Sequence, residues 1–441
     1  TLTSEIGIEL AIRKLHEVPK GAVAKKNDMH YKSKAMHLIK AQIKLRIGLD
    51  SLPEDFPRLV RLQAQDLANK ECMADFTQLE TNDRQRSVVK KDVEQEILQR
   101  LLKSLFYAAQ IDDLKDEAMA FMLQICQHVA ILEVGHSLAD MKLKRQPFDI
   151  KAGEGPLVVD CRVLADAIVE ALASDHPAVR DAGERAFKEV YDTTAIIFGT
   201  ESLVGKSMFF HYLSSVFCHG CYKEEWFTKA GGSLGINLLV TKFDLGDVWI
   251  GERQVEYTRS LLYVIKDMPQ DLPAKTRIGA QETLEILLKR VTKNLKKEDI
   301  TPPPPPVPGQ PKPHNQSKVP HLCQLFGSGL SHMNKHVRDT SKKALAIMAE
   351  QIGAEVWELL TPTKDHLLLP IYNKPLRALP FAVQIGYIDA VTYCMGLKPD
   401  FVQFDEQLNR LLMECLALAD AADESLAGKP AEQRTHEAII S

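Results

Sequence analysis

Apolar residues recur in steps of three and four along almost the whole chain. From Val93 they fall at Ile97, Leu98, Leu101, Leu102, Leu105 and Phe106, and from Val163 at Leu164, Ala167, Ile168, Ala171 and Leu172. Near the end they fall at Leu408, Leu411, Leu412, Cys415, Leu416 and Ala419, with Asp405 placed to cap that helix. Such steps set side chains on one face of a helix of 3.6 residues per turn. Sustained two-residue alternation is scarce. The short runs "PLVVD" and "TAIIF" fit strand or helix by periodicity alone. The pattern predicts an all-α chain of short amphipathic helices. These can bury their apolar faces only against each other, as a bundle or an α-solenoid.

Internal similarity favours the solenoid. "DHPAVRDAGERAFKEV" (175–190) and "MNKHVRDTSKKALAIM" (333–348) share Val-Arg-Asp and the alanine and large apolar residue that follow. "LPAKTRIGAQETLEIL" (272–287) repeats the arginine and the later apolar pair more weakly. Pro177 suits the first turn of a helix, where its missing N–H is not needed. Val179, Ala182, Ala186, Phe187 and Val190 then face inward, and Arg180 and Asp181 stay near the turn. This resembles the second helix of a HEAT repeat, a hairpin of about 40 residues that stacks into a superhelix; roughly ten would fit the chain, most of them degenerate.

One segment breaks the pattern. "TPPPPPVPGQPKPHNQSK" (301–318) holds eight of the 23 prolines, so it can neither continue a helix nor bury a core. The expected organisation is HEAT-type repeats over 1–300, a Pro-rich disordered loop over 301–318, and the same solenoid resuming over 319–441.

Composition narrows the function classes. Of 441 residues 26% are charged and 45% hydrophobic, with a net charge of −4. No global field marks a binder of nucleic acid, and no sequence-specific nucleic-acid partner is expected. No apolar run reaches the roughly 18 residues that span a bilayer, so no membrane partner is expected either. The start, "TLTSEIGIEL", lacks a Met and a signal architecture, and the chain is expected to be a piece of a longer protein. Eight scattered cysteines suggest a reducing compartment.

Four stretches raise the question of chemistry. "FGTESLVGKSMFF" (198–210) has the order of parts of a phosphate-binding loop. That loop needs four residues between its glycines, whereas five separate Gly199 from Gly205. Lys206-Ser207 reads better as the polar start of the helix "SMFFHYLSSVF". "CHGC" places Cys218 and Cys221 at a spacing that suits zinc or a redox pair. No second ligand pair matches it, and buried helical thiols are expected. "AGGSLGI" (230–236) weakens its helix by about 1 kcal/mol per glycine, which points to close approach of a neighbouring helix. Between Lys20 and Arg46 lie eight Lys/Arg and one acidic residue, Asp28. On that helix His37, Lys40 and Lys44, flanked by Lys32 and Lys34, form a stripe opposite Ala35 and Leu38, which reads either as a solvated face or as a dock for an acidic partner. No Ser-His-Asp set, carboxylate pair or H-E-x-x-H helix is argued by the sequence. No catalytic residue, cofactor site or metal site is expected.

A family resemblance covers the second half. "CYKEEWFTKAGGSLGINLLV" (221–240) resembles the Cys-Tyr…Trp…Lys-x-Gly-Gly…Ile segment of the TRRAP family. "VRDTSKKALAIMAEQIGAEVWELLTPTKDHLL" (337–368) and "LPFAVQIGYIDAVTYCMGLKPDFVQFD" (379–405) resemble that family's central helical region, in the same order. The match runs from 221 to 427 and is extended to the start. It implies a HEAT-type α-solenoid within a nuclear scaffold of SAGA-type and NuA-type histone acetyltransferase complexes. Such a scaffold receives acidic transcription activators, and its kinase-like domain lacks catalytic residues and lies outside this chain. The implied partners are acetyltransferase-complex subunits, activators and the rest of the longer chain. The alternative is a solenoid of the transport-receptor type that carries cargo and binds a small GTPase.

Overall fold

A computed structural model describes residues 2–69, 93–140, 160–267, 274–302 and 317–425. Among these residues there are seventeen α-helices, short turns and 3-10 segments, and no strand. The fold is an all-α solenoid of helical hairpins. The chain divides into two compact units, Thr1–Trp249 and Ile250–Ser441.

The first unit contains α1 (Leu2–His16), α2 (Ala22–Ile47), α3 (Phe56–Asn69), α4 (Val93–Tyr107), α5 (Lys115–Asp140), α6 (Cys161–Leu172), α7 (Pro177–Phe198), α8 (Met208–Cys221) and α9 (Trp226–Thr241). Consecutive helices pair as hairpins: α1 with α2, α6 with α7, α8 with α9. Next-but-one helices stack as well: α2 on α4, α4 on α6, α5 on α7, α6 on α8. This double register is what lets each hairpin bury the face its neighbour leaves open. The centre of the α6–α9 layer is aromatic. Phe187 lies 4.4 Å from Phe243 and 5.9 Å from Phe210, ring to ring, and Tyr191 lies 5.2 Å from Phe243 while donating its hydroxyl to the Asp244 carbonyl. Offset pairs of this kind contribute about 0.5–1.5 kcal/mol each beyond burial.

The second unit holds most of α10 (Asp247–Asp267), then α11 (Ala274–Thr292), α12 (Val319–Leu330), α13 (Lys335–Ile352), α14 (Val356–Leu360), α15 (Lys364–Tyr372), α16 (Phe381–Leu397) and α17 (Glu406–Ser425). Helices α12 and α13 form a hairpin, with α11 against α13 and both α15 and α16 against α12. Residues 303–316 of the Pro-rich segment lie outside the described residues, as does "PLVVD" up to residue 159.

The two matched repeats have one construction. Helix α7 begins at Pro177, and Val179, Ala182, Ala186, Phe187 and Val190 are buried as the spacing predicts. The shared arginine closes the hairpin turn: Arg180 Nη1 donates to the Ser174 carbonyl at 2.7 Å, and Arg338 Nη1 to the His332 carbonyl at 2.8 Å. Both reach back six residues. The crossing point admits one small side chain. A Cβ on Gly183 would stand 3.0 Å from the Ala171 Cβ, and a Cβ on Gly329 would collide with the Ser341 hydroxyl. Each pair is twelve residues apart, so the two repeats fill the same space from opposite helices.

One ambiguity is resolved and two expectations change. "TAIIF" is the last turn of α7, with Ile197 and Phe198 buried and Gly199 ending the helix at φ 74°. Asp405 does cap α17, accepting from Leu408 N at 2.9 Å, but Leu416 faces out and is 58% exposed. It sits about 80° around the helix from Leu408 and so misses the packed line. The stretch Lys115–Gly135 of α5 is long and apolar enough by composition to cross a membrane, yet 72% of its apolar window is buried in protein. It is the core helix against which α7 packs.

Candidate functional site

The glycine loop at 199–207 is filled from within. Glu201–Lys206 form a 3-10 turn between α7 and α8. A Cβ on Gly205 would stand 2.8 Å from the Leu245 carbonyl oxygen and 2.9 Å from the Trp249 ring, so this backbone is pressed against protein. A helix N-terminus attracts anions because its first N–H groups are unpaired and its dipole is positive there. At α8 that attraction is already answered. Glu133 of α5, 8% exposed, accepts from Ser207 Oγ at 2.9 Å and from Met208 N at 3.1 Å. The protein's own carboxylate occupies the position a phosphate would need.

The second and third stretches meet each other. Cys218 and Cys221 are buried on α8, and Cys221 faces Gly232 of α9. A Cβ on Gly232 would lie 2.6 Å from the Phe217 carbonyl oxygen, 2.9 Å from Cys221 N and 3.1 Å from Cys221 Sγ. A Cβ on Gly235 would enter the Phe217 ring, and one on Gly231 would lie 2.7 Å from Ala173 Cα at the α6–α7 turn. The glycines therefore serve helix approach on two sides, as their cost in helix stability suggested. Burial pushes the Cys221 thiol far above its ordinary range, away from the thiolate that metal binding or disulfide exchange requires. Among the described residues no group of three or more His, Cys, Asp or Glu is arranged to hold a metal ion.

The basic stretch forms α2, whose inner face is Ala35, Met36, Ile39, Ile43 and Ile47. Its cations fall into two sets. Lys32 is buried at 9% exposure, and its Nζ lies 2.9 Å from Asp28 Oδ2, while Lys14 of α1 reaches Asp28 Oδ1 at 3.2 Å. Burial pushes the Asp28 carboxyl up, and the two ammonium groups outweigh this and hold it below its ordinary value. Lys40 donates to Glu117 of α5 at 2.7 Å and stands 5.3 Å from the centre of the Phe121 ring. Lys14 and Lys40 tie α2 to α1 and α5, whereas Lys32 pairs within α2 itself. Lys34 and His37 are exposed and Lys44 is half-buried. Leu38, placed by the sequence pattern on the inner face, instead points outward at 37% exposure, and Ile39 takes the inner position. The Asp28–Lys32 pair has a sequence signal, since residues four apart on a helix are neighbours. The Lys40–Glu117 pair spans 77 residues and has none.

These observations define a HEAT-type helical solenoid whose suspected chemical groups are engaged in packing. The chain belongs to the family described as the Tra1 HEAT repeat ring region, which it matches over residues 1–441. Family membership thus extends beyond 221–427 to the first half of the chain. It is 31% identical over 422 residues to the SAGA complex/NuA4 acetyltransferase complex subunit TRA1 of Saccharomyces cerevisiae, covering 94% of this chain and 11% of that protein. It is 28% identical over 335 residues to the corresponding Tra1 subunit of Schizosaccharomyces pombe, covering 76% of this chain and 9% of that protein. The human transformation/transcription domain-associated protein is 25% identical over 345 residues, covering 75% of this chain and 9% of its own length. The chain spans about a tenth of the length of these relatives.

Proposed function

We propose that this chain is a non-catalytic scaffold segment of a nuclear transcription coactivator. It docks subunits of histone acetyltransferase complexes and receives acidic transcription activators. One observation carries this reading: the groups that could do chemistry are used up in helix packing, with Glu133 on the α8 N-terminus and Cys221 against Gly232. What remains is a long succession of hairpin faces, which suits protein docking. The names of the yeast relatives, subunits of SAGA and NuA4 acetyltransferase complexes, support the choice of complex. The rest of the longer chain is a further partner, and the kinase-like domain of the family belongs to that remainder.

The activator-docking part rests on α2. Lys34 and Lys44 offer positive charge on the surface of a slightly acidic chain, with His37 beside them, whereas Lys40 ties the helix to α5 and Lys32 pairs within it. Exposed charges act over about 8–10 Å at physiological salt, so they govern capture rate more than affinity. Affinity purification of the full-length protein tests the reading. Co-purifying acetyltransferase subunits are expected. A small GTPase with no acetyltransferase subunit would replace it with the transport-receptor reading.

A further inference from the structure

Helix α2 is apolar on two sides. Beyond its buried face it exposes Tyr31 at 52%, Leu38 at 37% and Leu45 at 72%. These are spaced seven residues apart, two helical turns, so they form one line that drifts by about 20° per step. This is the spacing of a helix that receives another helix. The flank of the line carries two lysines, Lys34 and Lys44, and two histidines, His30 and His37. His30, His37 and Lys44 each precede a residue of the line by one, and Lys34 follows Tyr31 by three. At about 100° per residue, all four fall on the same side of the line, away from the core. The sole acidic residue of α2, Asp28, is buried between Lys14 and Lys32. The outer face thus combines an apolar line with positive charge and carries no negative charge of its own.

We infer that the outer face of α2 is the docking surface for an amphipathic helix of a partner protein, with apolar residues at heptad spacing and acidic residues along one flank. The inference rests on the proposed reading of α2 as a dock for acidic partners, and adds that the partner is helical and is held by the Tyr31–Leu38–Leu45 line. Charge decides between occupants. A second copy of α2 would set cations against cations, and a nucleic acid would leave the apolar line in water. An acidic amphipathic helix satisfies both features, in the helix-on-groove manner of peptide recognition.

The test uses the 441-residue chain and three synthetic three-heptad peptides carrying a fluorophore. The first has leucines at heptad spacing with glutamates along one flank, the second is a scramble of the same composition, and the third replaces glutamate by lysine. Fluorescence anisotropy should show the first binding about tenfold more tightly than the scramble, as buried apolar anchors rather than rim charges set affinity. The double substitution Leu38→Gln/Leu45→Gln should remove that ratio and leave the weak, salt-sensitive binding of the scramble. Lys34→Glu/Lys44→Glu should weaken both acidic peptides. In the unaltered chain, a photo-reactive leucine in the central heptad of the first peptide should label α2. Equal binding of the first peptide and the scramble, or labelling elsewhere, would overturn the helix-docking inference while leaving an acidic dock intact. Absence of binding by either acidic peptide would remove both, and equal binding of the lysine peptide would overturn the choice of an acidic partner.

Discussion

Replacing Gly232 by alanine separates the packing account of the glycine cluster from a mere helix-propensity account. Alanine is the better helix former by about 1 kcal/mol, so propensity alone predicts stabilisation. The structure predicts the reverse. The new Cβ would lie 2.6 Å from the Phe217 carbonyl oxygen and 2.9 Å from Cys221 N, where 3.4–4 Å is ordinary contact. Both obstacles are backbone, which has no rotamer to yield. Helices α8 and α9 must therefore part by about 0.5–1 Å, and a gap of that size forfeits a quarter to a half of the dispersion attraction along the seam. Overpacking costs about 1–3 kcal/mol, and a backbone obstacle belongs at the upper end. After the propensity gain, the net loss is about 2 kcal/mol. For a cooperative unit of the size of Thr1–Trp249 this corresponds to a fall in Tm of about 4–8 °C. Gly7→Ala is the control: it lies within α1 with nothing within 4 Å of its Cβ position, and should raise stability by up to about 1 kcal/mol. Thermal unfolding followed by circular dichroism reads both. If Gly232→Ala raised Tm as Gly7→Ala does, the close approach of α8 and α9 would be refuted.

Three other tests probe separate features. Glu133→Ala leaves Met208 N–H and the Ser207 hydroxyl without their acceptor and should cost about 1–3 kcal/mol in urea unfolding, whereas Lys206→Ala should be neutral and ATP should leave both melting curves unchanged; saturable ATP binding lost with Lys206 would contradict the filled loop. Arg338→Ala removes the bonds to the His332 and Met333 carbonyls and to Asp389 and should cost about 3 kcal/mol. Burial pushes the Asp389 carboxyl up, but Lys342 and Arg338 outweigh this and hold it low. The pair therefore stabilises fully above the ordinary carboxyl value of about 4, and the difference between wild type and variant should shrink as pH falls through the lower folded value; a difference that stays constant down to pH 2 would exclude Asp389 from the effect. Cys415, half-buried with its thiol pushed up to about 11, should react with a thiol reagent before Cys221, which should be modified only on unfolding; rapid native labelling of Cys221 would contradict its packing against Gly232.

Periodicity revealed the helices because most have one apolar face. It located α4 and α6 closely, and the buried set Leu101, Leu102, Leu105, Phe106 follows the predicted steps. It could not orient α2, where Leu38 and Ile39 are adjacent and equally apolar. A helix with two apolar faces has no single direction in sequence, and only the packing of neighbours such as α1 and α4 on α2, which leaves Ile39 and Ile43 buried, selects the inner one. The repeated Val-Arg-Asp was legible as a repeat, but the task of its arginine was not, because the acceptors are backbone carbonyls with no side-chain signature. Glu133 was invisible for another reason: it lies 74 residues from Ser207, and a carboxylate within an apolar helix gives no hint of which helix end it will meet. The crossing-point pairs Ala171–Gly183 and Gly329–Ser341 escaped the repeat comparison because the small residue changes helix while the sum of volumes is kept.

The central claim is that this segment works by contact with other proteins. Lysine–lysine cross-linking with mass spectrometry on the complex purified through the full-length protein tests it most directly. The account predicts cross-links from this segment to other subunits of the acetyltransferase complex, with Lys34 or Lys44 of α2 among them. Cross-links confined to the segment's own chain, in a complex whose other subunits cross-link freely to one another, would contradict it.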